Sequence, residues 1–182
     1  SRVGSEMCIR DSAKRLEHGG YEVYIGGGKR PTGLEPSSWA REVERLGAGE
    51  VFLNSVDRDG SALGYDIELI RSVVGATSIP VVACGGVGAY GDFAAGVTQG
   101  GASAVSAANI FHFFENSYPF AKRACLDAGL AMRPVVLGSR WNPREPIYDQ
   151  AQADTRIASR LDLARRGPVS YTHLTLPTNR EV

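Results

Sequence analysis

The chain has 182 residues, with 20 Lys+Arg against 20 Asp+Glu and a formal net charge of +0. That balance excludes nucleic-acid binding driven by a broad basic field, and no apolar run approaches the roughly 18 residues of a membrane span. With 43% hydrophobic and 22% charged residues, the composition predicts one folded domain.

Two terminal strings stand apart. Residues 1–12 (SRVGSEMCIRDS) and 169–182 (VSYTHLTLPTNREV) show no helical or strand period that continues into their neighbours. Both resemble translated sequencing-adapter read-through and are set aside from the fold, as a fusion scar would be. Cys8, Tyr171 and His173 therefore receive no functional reading.

In chain order, YEVYI (21–25) reads as a short strand or hairpin arm running into Gly26-Gly27-Gly28. Trp39, Val43 and Leu46 recur at helical spacing after a Ser37-Ser38 N-cap region and stop at Gly47. EVFLNSV (50–56) reads as a buried strand, 57–66 as a loop and 67–77 as a helix ending near Gly75. IPVVAC (79–84) is a second strand, followed by a helix over 90–99 and a third strand over 102–111. A helix over 117–129 follows, with Pro119 in its first turn and Gly129 past its end. This repeated strand–helix rhythm, with near-continuous apolar strands, predicts an α/β fold with parallel strands. A barrel of βα units and an open doubly wound sheet both fit.

Either architecture binds ligands where strands end. The strand at 79–84 ends in Cys84-Gly85-Gly86-Val87-Gly88, whose bare backbone can bring N–H groups up to an anion. The N-terminus of the following helix would add positive potential. Ala108 and Asn109 close the neighbouring strand, so the two turns together suit one phosphate. Gly86-x-Gly88-x-x-Gly91 also satisfies a dinucleotide pattern, but the acidic residue about 20 positions on is missing. The first strand ends at Asp57-Arg58-Asp59-Gly60-Ser61, which reads either as a ligand loop with a general acid or base or as a solvated turn. Asn54 lies inside that strand, where a barrel interior would demand a partner for it. Cys84 reads as a pocket wall more readily than as a nucleophile, having no neighbouring His. His112 reads as a packing or capping residue, and Glu50 as a solvated strand start. Cys8, Cys84 and Cys125 form neither a disulfide framework nor a zinc spacing. The N-terminus lacks the apolar core of a signal peptide, so the expected compartment is the cytoplasm.

Three stretches, GAGEVFLNSVDRDGSALGYDIELIRSV, SIPVVACGGVGAYGDF and GASAVSAANIFHF, together resemble the cyclase subunit of imidazole glycerol phosphate synthase. The resemblance runs from about Ala13 to Arg133, and DRDGS…GYD is its most specific part. It implies the C-terminal half of a (β/α)8 TIM barrel, with the sixth to eighth strands whole and the fifth truncated. The implied reaction uses ammonia from a glutaminase subunit and needs no metal or organic cofactor. It converts a phosphoribulosyl-formimino ribonucleotide into imidazole glycerol phosphate and an aminoimidazole carboxamide ribotide.

Carried over by position, Asp59, Gly60 and Ser61 match the substrate loop after the sixth strand. Asn54 stands where Thr is common. Gly85 and Gly86 match the phosphate turn after the seventh strand, with Cys84 where Ser is usual. Ala108 and Asn109 close the eighth strand, Asn109 standing where Ser is usual, and Glu50 matches the gate for ammonia at the barrel base.

The family uses two aspartates, on the first and fifth strands. The first strand is missing, and the fifth-strand aspartate would precede Ala13-Lys14-Arg15, where Ser12 stands with Asp11 one further back. The chain as written is therefore expected not to turn over. Residues 13–133 form the expected half-barrel, and 134–168 a C-terminal loop and helix, the helix over Asp149–Arg166. That extension, with Asn54, Cys84 and Asn109, is similar to paralogues thought to supply ammonia for amidination of a surface-polysaccharide sugar. A non-catalytic phosphate-binding half-barrel is the third reading. The open edges of a half-barrel are also expected to favour self-association.

Overall fold

The computed structural model describes residues 8–113 and 117–133, with side chains over 12–111 and 117–133. The side chains of Asp11 and His112 and the expected extension at 134–168 lie outside the described residues. Among the described residues six strands form one sheet in the order β3-β2-β1-β4-β5-β6. In chain order the elements are β1 Cys8–Arg15, β2 Tyr21–Ile25, β3 Arg30–Pro31, α1 Pro36–Arg45, β4 Glu50–Ser55 and α2 Ile67–Val74. Then come β5 Val81–Cys84, α3 Tyr90–Thr98, β6 Ala104–Val105, α4 Asn109–Phe113 and α5 Ser117–Asp127.

Strands β1, β4, β5 and β6 are parallel, and the β2–β3 hairpin returns antiparallel along the outer edge of β1. This is a mixed α/β architecture with the parallel sheet and crossover helices of a partial TIM barrel. Strand β1 is longer than the truncated strand expected. Cys8–Ser12, set aside with the terminal string, pair in parallel register with Glu50–Asn54 and run straight into Ala13.

One face of the sheet carries the core. Val51 and Leu53 of β4, Val81 and Ala83 of β5 and Ala13 of β1 are buried against Ala40, Val43, Leu69, Ile70 and Val73 of the helices. Each fully buried Leu or Val here contributes roughly 1.5–3 kcal/mol. The other face carries the alternate residues: Phe52 and Val82 are half-buried, and Ser12, Asn54 and Cys84 occupy one register row.

Local differences from the expected elements have local causes. Helix α1 is capped by Glu35, whose carboxylate accepts from Ser37 N at 3.1 Å and Ser38 N at 2.9 Å, so the serines lie inside the first turn. Its buried face is Pro36, Ala40 and Val43; Leu46 is the C-cap and is 46% exposed. The strand expected over 102–111 is only Ala104–Val105. Its partner β5 ends at Cys84, the ladder closes with Ser106 N donating to Ala83 O at 2.8 Å, and the chain turns into α4 at Asn109. Among the described residues no helix is long and apolar enough to cross a membrane.

Candidate functional site

The parallel strands all end at one rim of the sheet, and a cleft opens there. It is lined by Asp59, Gly60, Cys84, Gly85, Gly86, Val87, Ala107, Ala108 and Asn109. Seven of the positions singled out in the sequence thus meet around one opening, although they come from three separate strand ends.

The turn after β5 supplies the floor. Gly85 and Gly86 hold φ of +95° and +106°, a region that side chains rarely enter. A Cβ on Gly85 would lie 2.8 Å from Ser55 O and 3.0 Å from Asn54 Oδ1. Both glycines are therefore needed for conformation and for space. Among the described residues, no acceptor takes the backbone N–H of Gly86, Ala108 or Asn109. Asn54, 6% exposed beneath Gly85, has a buried Oδ1 with no hydrogen-bond partner among the described residues. Such unsatisfied donors and acceptors are rare in an interior and common where a ligand completes the bonding.

The helix after this turn plays a different part from the one expected. Asp92, in the first turn of α3, accepts from Gly88 N and Ala89 N at 2.9 Å each through Oδ2. Those leading N–H groups are satisfied internally, so the α3 N-terminus offers its positive end to its own aspartate. The cleft takes its helix start from Ala108 and Asn109 instead.

The loop after β4 supplies the wall. Asp59 N donates to Ser55 O at 2.9 Å, and Ser61 Oγ donates to Arg58 O at 2.7 Å. Asp59 stands exposed at the cleft rim, while Ser61 turns its hydroxyl into the loop and does not line the opening. Asp57 faces the other way along the rim, where its Oδ2 accepts from Arg15 N at 2.6 Å and ties the end of β1 to the end of β4. Arg58 donates to Leu63 O at 3.1 Å and pairs with neither aspartate among the described residues.

Three further residues hold the site together. Gly64 N donates to Gly86 O at 2.8 Å, Tyr65 OH donates to Ser106 O at 2.8 Å, and Asp66 Oδ1 accepts from Tyr21 OH at 2.8 Å. The Gly64-Tyr65-Asp66 triplet thus binds the β5–α3 turn, the end of β6 and the hairpin in turn. Burial pushes the Tyr65 phenol well above its ordinary pKa, so it stays a donor. In the sequence this triplet helps carry the family resemblance but receives no role. Each of its partners is distant in sequence, so no local signal identifies them.

Glu50 lies at the opposite end of β4, half-buried and remote from the cleft. In the register row of Ser12, Asn54 and Cys84, Ser12 takes the β1 position beside Asn54, and Asp11 takes the one beside Leu53. Among the described residues no group of three or more His, Cys, Asp or Glu is close enough to hold a metal ion.

The fold defines a βα-barrel segment with a cleft at the C-terminal ends of the parallel strands. The histidine biosynthesis protein family matches residues 2–117, and the chain belongs to that family. It is 47% identical over 133 residues to the imidazole glycerol phosphate synthase subunit HisF of Alkaliphilus metalliredigens (strain QYMF). That alignment covers 72% of this chain and 53% of the relative, so the chain spans about half the length of the curated relative it matches.

Proposed function

We propose that this chain is the C-terminal half of an ammonia-dependent cyclase of histidine biosynthesis. The whole protein would form imidazole glycerol phosphate and an aminoimidazole carboxamide ribotide from the phosphoribulosyl-formimino precursor. The carrying observation is the shared cleft, where a carboxylate, Asp59, faces a turn with unpaired backbone donors at Gly86, Ala108 and Asn109.

A phosphate at that turn would fix one end of the substrate by charge-assisted bonds to N–H groups. Asp59 would then orient the reacting region, with positioning supplying much of the rate. Ammonia would arrive from a glutaminase subunit at the other end of the barrel, where Glu50 opens β4 and would act as its gate. The second carboxylate of such a site belongs in the Ser12 register position, beside Asn54 and Cys84. With Ser12 there, the chain would hold the substrate without converting it.

The test is a completed barrel: an N-terminal half joined to this chain and Ser12→Asp introduced. Given the formimino ribonucleotide and ammonium, it is expected to form product. Asp59→Ala should then lower kcat by roughly 10²-fold or more, the scale on which a misplaced reacting region loses rate. A completed barrel that binds the ribonucleotide but never turns it over would refute the reading.

One alternative has a specific observation behind it. Asn54, Cys84 and Asn109, where the cyclase has Thr, Ser and Ser, all lie in or against this one cleft. Three changes in one place favour a different ligand shape, as in a paralogue supplying ammonia for amidination of a surface-polysaccharide sugar. Binding of a nucleotide sugar in preference to the formimino ribonucleotide would decide for it.

A further inference from the structure

The β5–α3 turn has two sides. Its front, at Gly85 and Gly86, lines the cleft, whereas Gly88 does not. The back of the turn is pressed against the 57–64 loop. A Cβ on Gly88 would overlap the Ala62 carbonyl oxygen and lie 3.0 Å from Ala62 Cβ. Gly88 has no positive φ, so its lack of a side chain is needed for space alone. Asp92 then immobilises it by accepting the Gly88 N–H. A Cβ on Gly64 would in turn lie 3.3 Å from Asp92 Oδ1.

The loop resting on this surface is strained. Ala62 has φ +53°, and it is the one non-glycine residue with positive φ among the described residues. That conformation costs an L-residue energy and persists only where surroundings hold it. Ser61 N bonded to Arg58 O, Gly64 N bonded to Gly86 O and the Gly88 surface together hold it.

We propose that Gly88 is a positioning residue: it seats the Ala62 carbonyl and thereby sets where Asp59 stands relative to the front of the same turn. The consequence for chemistry rests on the reading of Asp59 as the substrate-facing carboxylate; the seat itself does not. One rigid turn thus serves both the phosphate and the carboxylate, and their separation is fixed by two back-to-back backbone contacts.

The experiment uses the 182-residue chain, with amide hydrogen exchange over 57–64 and titration with inorganic phosphate. In Gly88→Ala, exchange at Asp59, Ser61 and Gly64 is expected to rise by roughly tenfold or more as the loop lifts off. The dissociation constant for inorganic phosphate should change by less than about twofold, because the front of the turn is untouched. Adding Ala62→Gly should bring the loop back to within about threefold of the parent rates, since glycine lets the carbonyl swing aside at little conformational cost.

Unchanged loop exchange in a folded Gly88→Ala would overturn the seat, as would loss of phosphate binding with the loop still protected. If Gly88→Ala alone does not fold, the double variant decides. Recovery of a folded chain with a protected loop supports the seat, and an unfolded one overturns it. A parent chain that binds no phosphate counts against the phosphate reading only, and the exchange rates still judge the seat.

Discussion

Asp57 and Asp59 stand two residues apart on one loop and enter different chemistry. Asp57 belongs to the hairpin side of the sheet rim, where polar groups satisfy each other. Arg15 N donates to Asp57, the Arg15 guanidinium meets Glu68 at 2.7 Å and Asp66 at 3.5 Å, and Tyr21 OH donates to Asp66. Arg15 also donates to the Tyr21 hydroxyl. Asp59 belongs to the cleft side, where the Asn54 Oδ1 and the N–H groups of Gly86, Ala108 and Asn109 have no protein partner among the described residues. The two sides share the same strand ends and similar polarity. They differ in whether the protein completes its own hydrogen bonding. A closed network stabilises a joint, and an open one specifies a ligand.

The comparison is most exposed at its glycines. Gly86 (φ +106°) has a would-be Cβ 2.9 Å from Arg58 Cβ and overlapping Gly64 O, whereas Gly20 on the hairpin side (φ +79°) has nothing within 4 Å. Gly86→Ala is therefore expected to lose about 3 kcal/mol or more of stability, with phosphate binding lost in whatever folds. Gly20→Ala should cost only about 1–2 kcal/mol, the backbone penalty alone, and leave phosphate binding intact. Urea unfolding with a phosphate titration measures both. Equal costs at the two positions would mean that the cleft side is no more tightly specified than the hairpin.

This contrast explains what was legible in the sequence. Strand ends, bare glycines and an acidic residue followed by Gly-Ser are local signals, so the rhythm of the fold and most of the cleft lining could be read from them. Gly85, Gly86, Ala108 and Asn109 come together because adjacent parallel strands end at one rim. The partners of Gly64, Tyr65, Asp66 and Gly88 were not legible, because each contact crosses between loops or elements. The apolar run at 102–111 fits a strand as well as a helix start. What ends it at Val105 is the length of β5, which is not a property of the run itself. Asp57 and Asp59 differ only in which neighbour their backbone positions face, and composition cannot separate them.

A smaller effect is expected in the closed network. Tyr21→Phe removes the bond to Asp66 and leaves that 6% exposed carboxylate with Leu69 N and the more distant Arg15. The expected loss is about 1–2 kcal/mol, with phosphate binding unchanged. Burial, and then the bond to Asp66, raises the Tyr21 pKa above its ordinary 10.0. The neutral phenol is the form that folding favours, so its contribution is present below that pH and lost as pH rises toward the folded value. Unfolding measured from neutral to strongly alkaline pH should show the parent and Tyr21→Phe converging. Parallel curves would remove Tyr21 from the network.

The smallest effect carries the sharpest sign. Asn54→Leu keeps the branched shape and deletes the buried Oδ1 that has no protein partner among the described residues. Removing a satisfied polar atom costs stability, but removing an unsatisfied one relieves a desolvation penalty. The ligand-free chain is therefore expected to melt within a degree or two of the parent or above it, a change of no more than about 0.5 kcal/mol on the unfavourable side. Tyr21→Phe and Asn54→Leu each remove a polar group from the same rim, so opposite outcomes would arise only from the state of the bonding on each side. A loss of about 2 kcal/mol in Asn54→Leu would mean that this amide is bonded in solution, and the cleft side would then be as closed as the hairpin side.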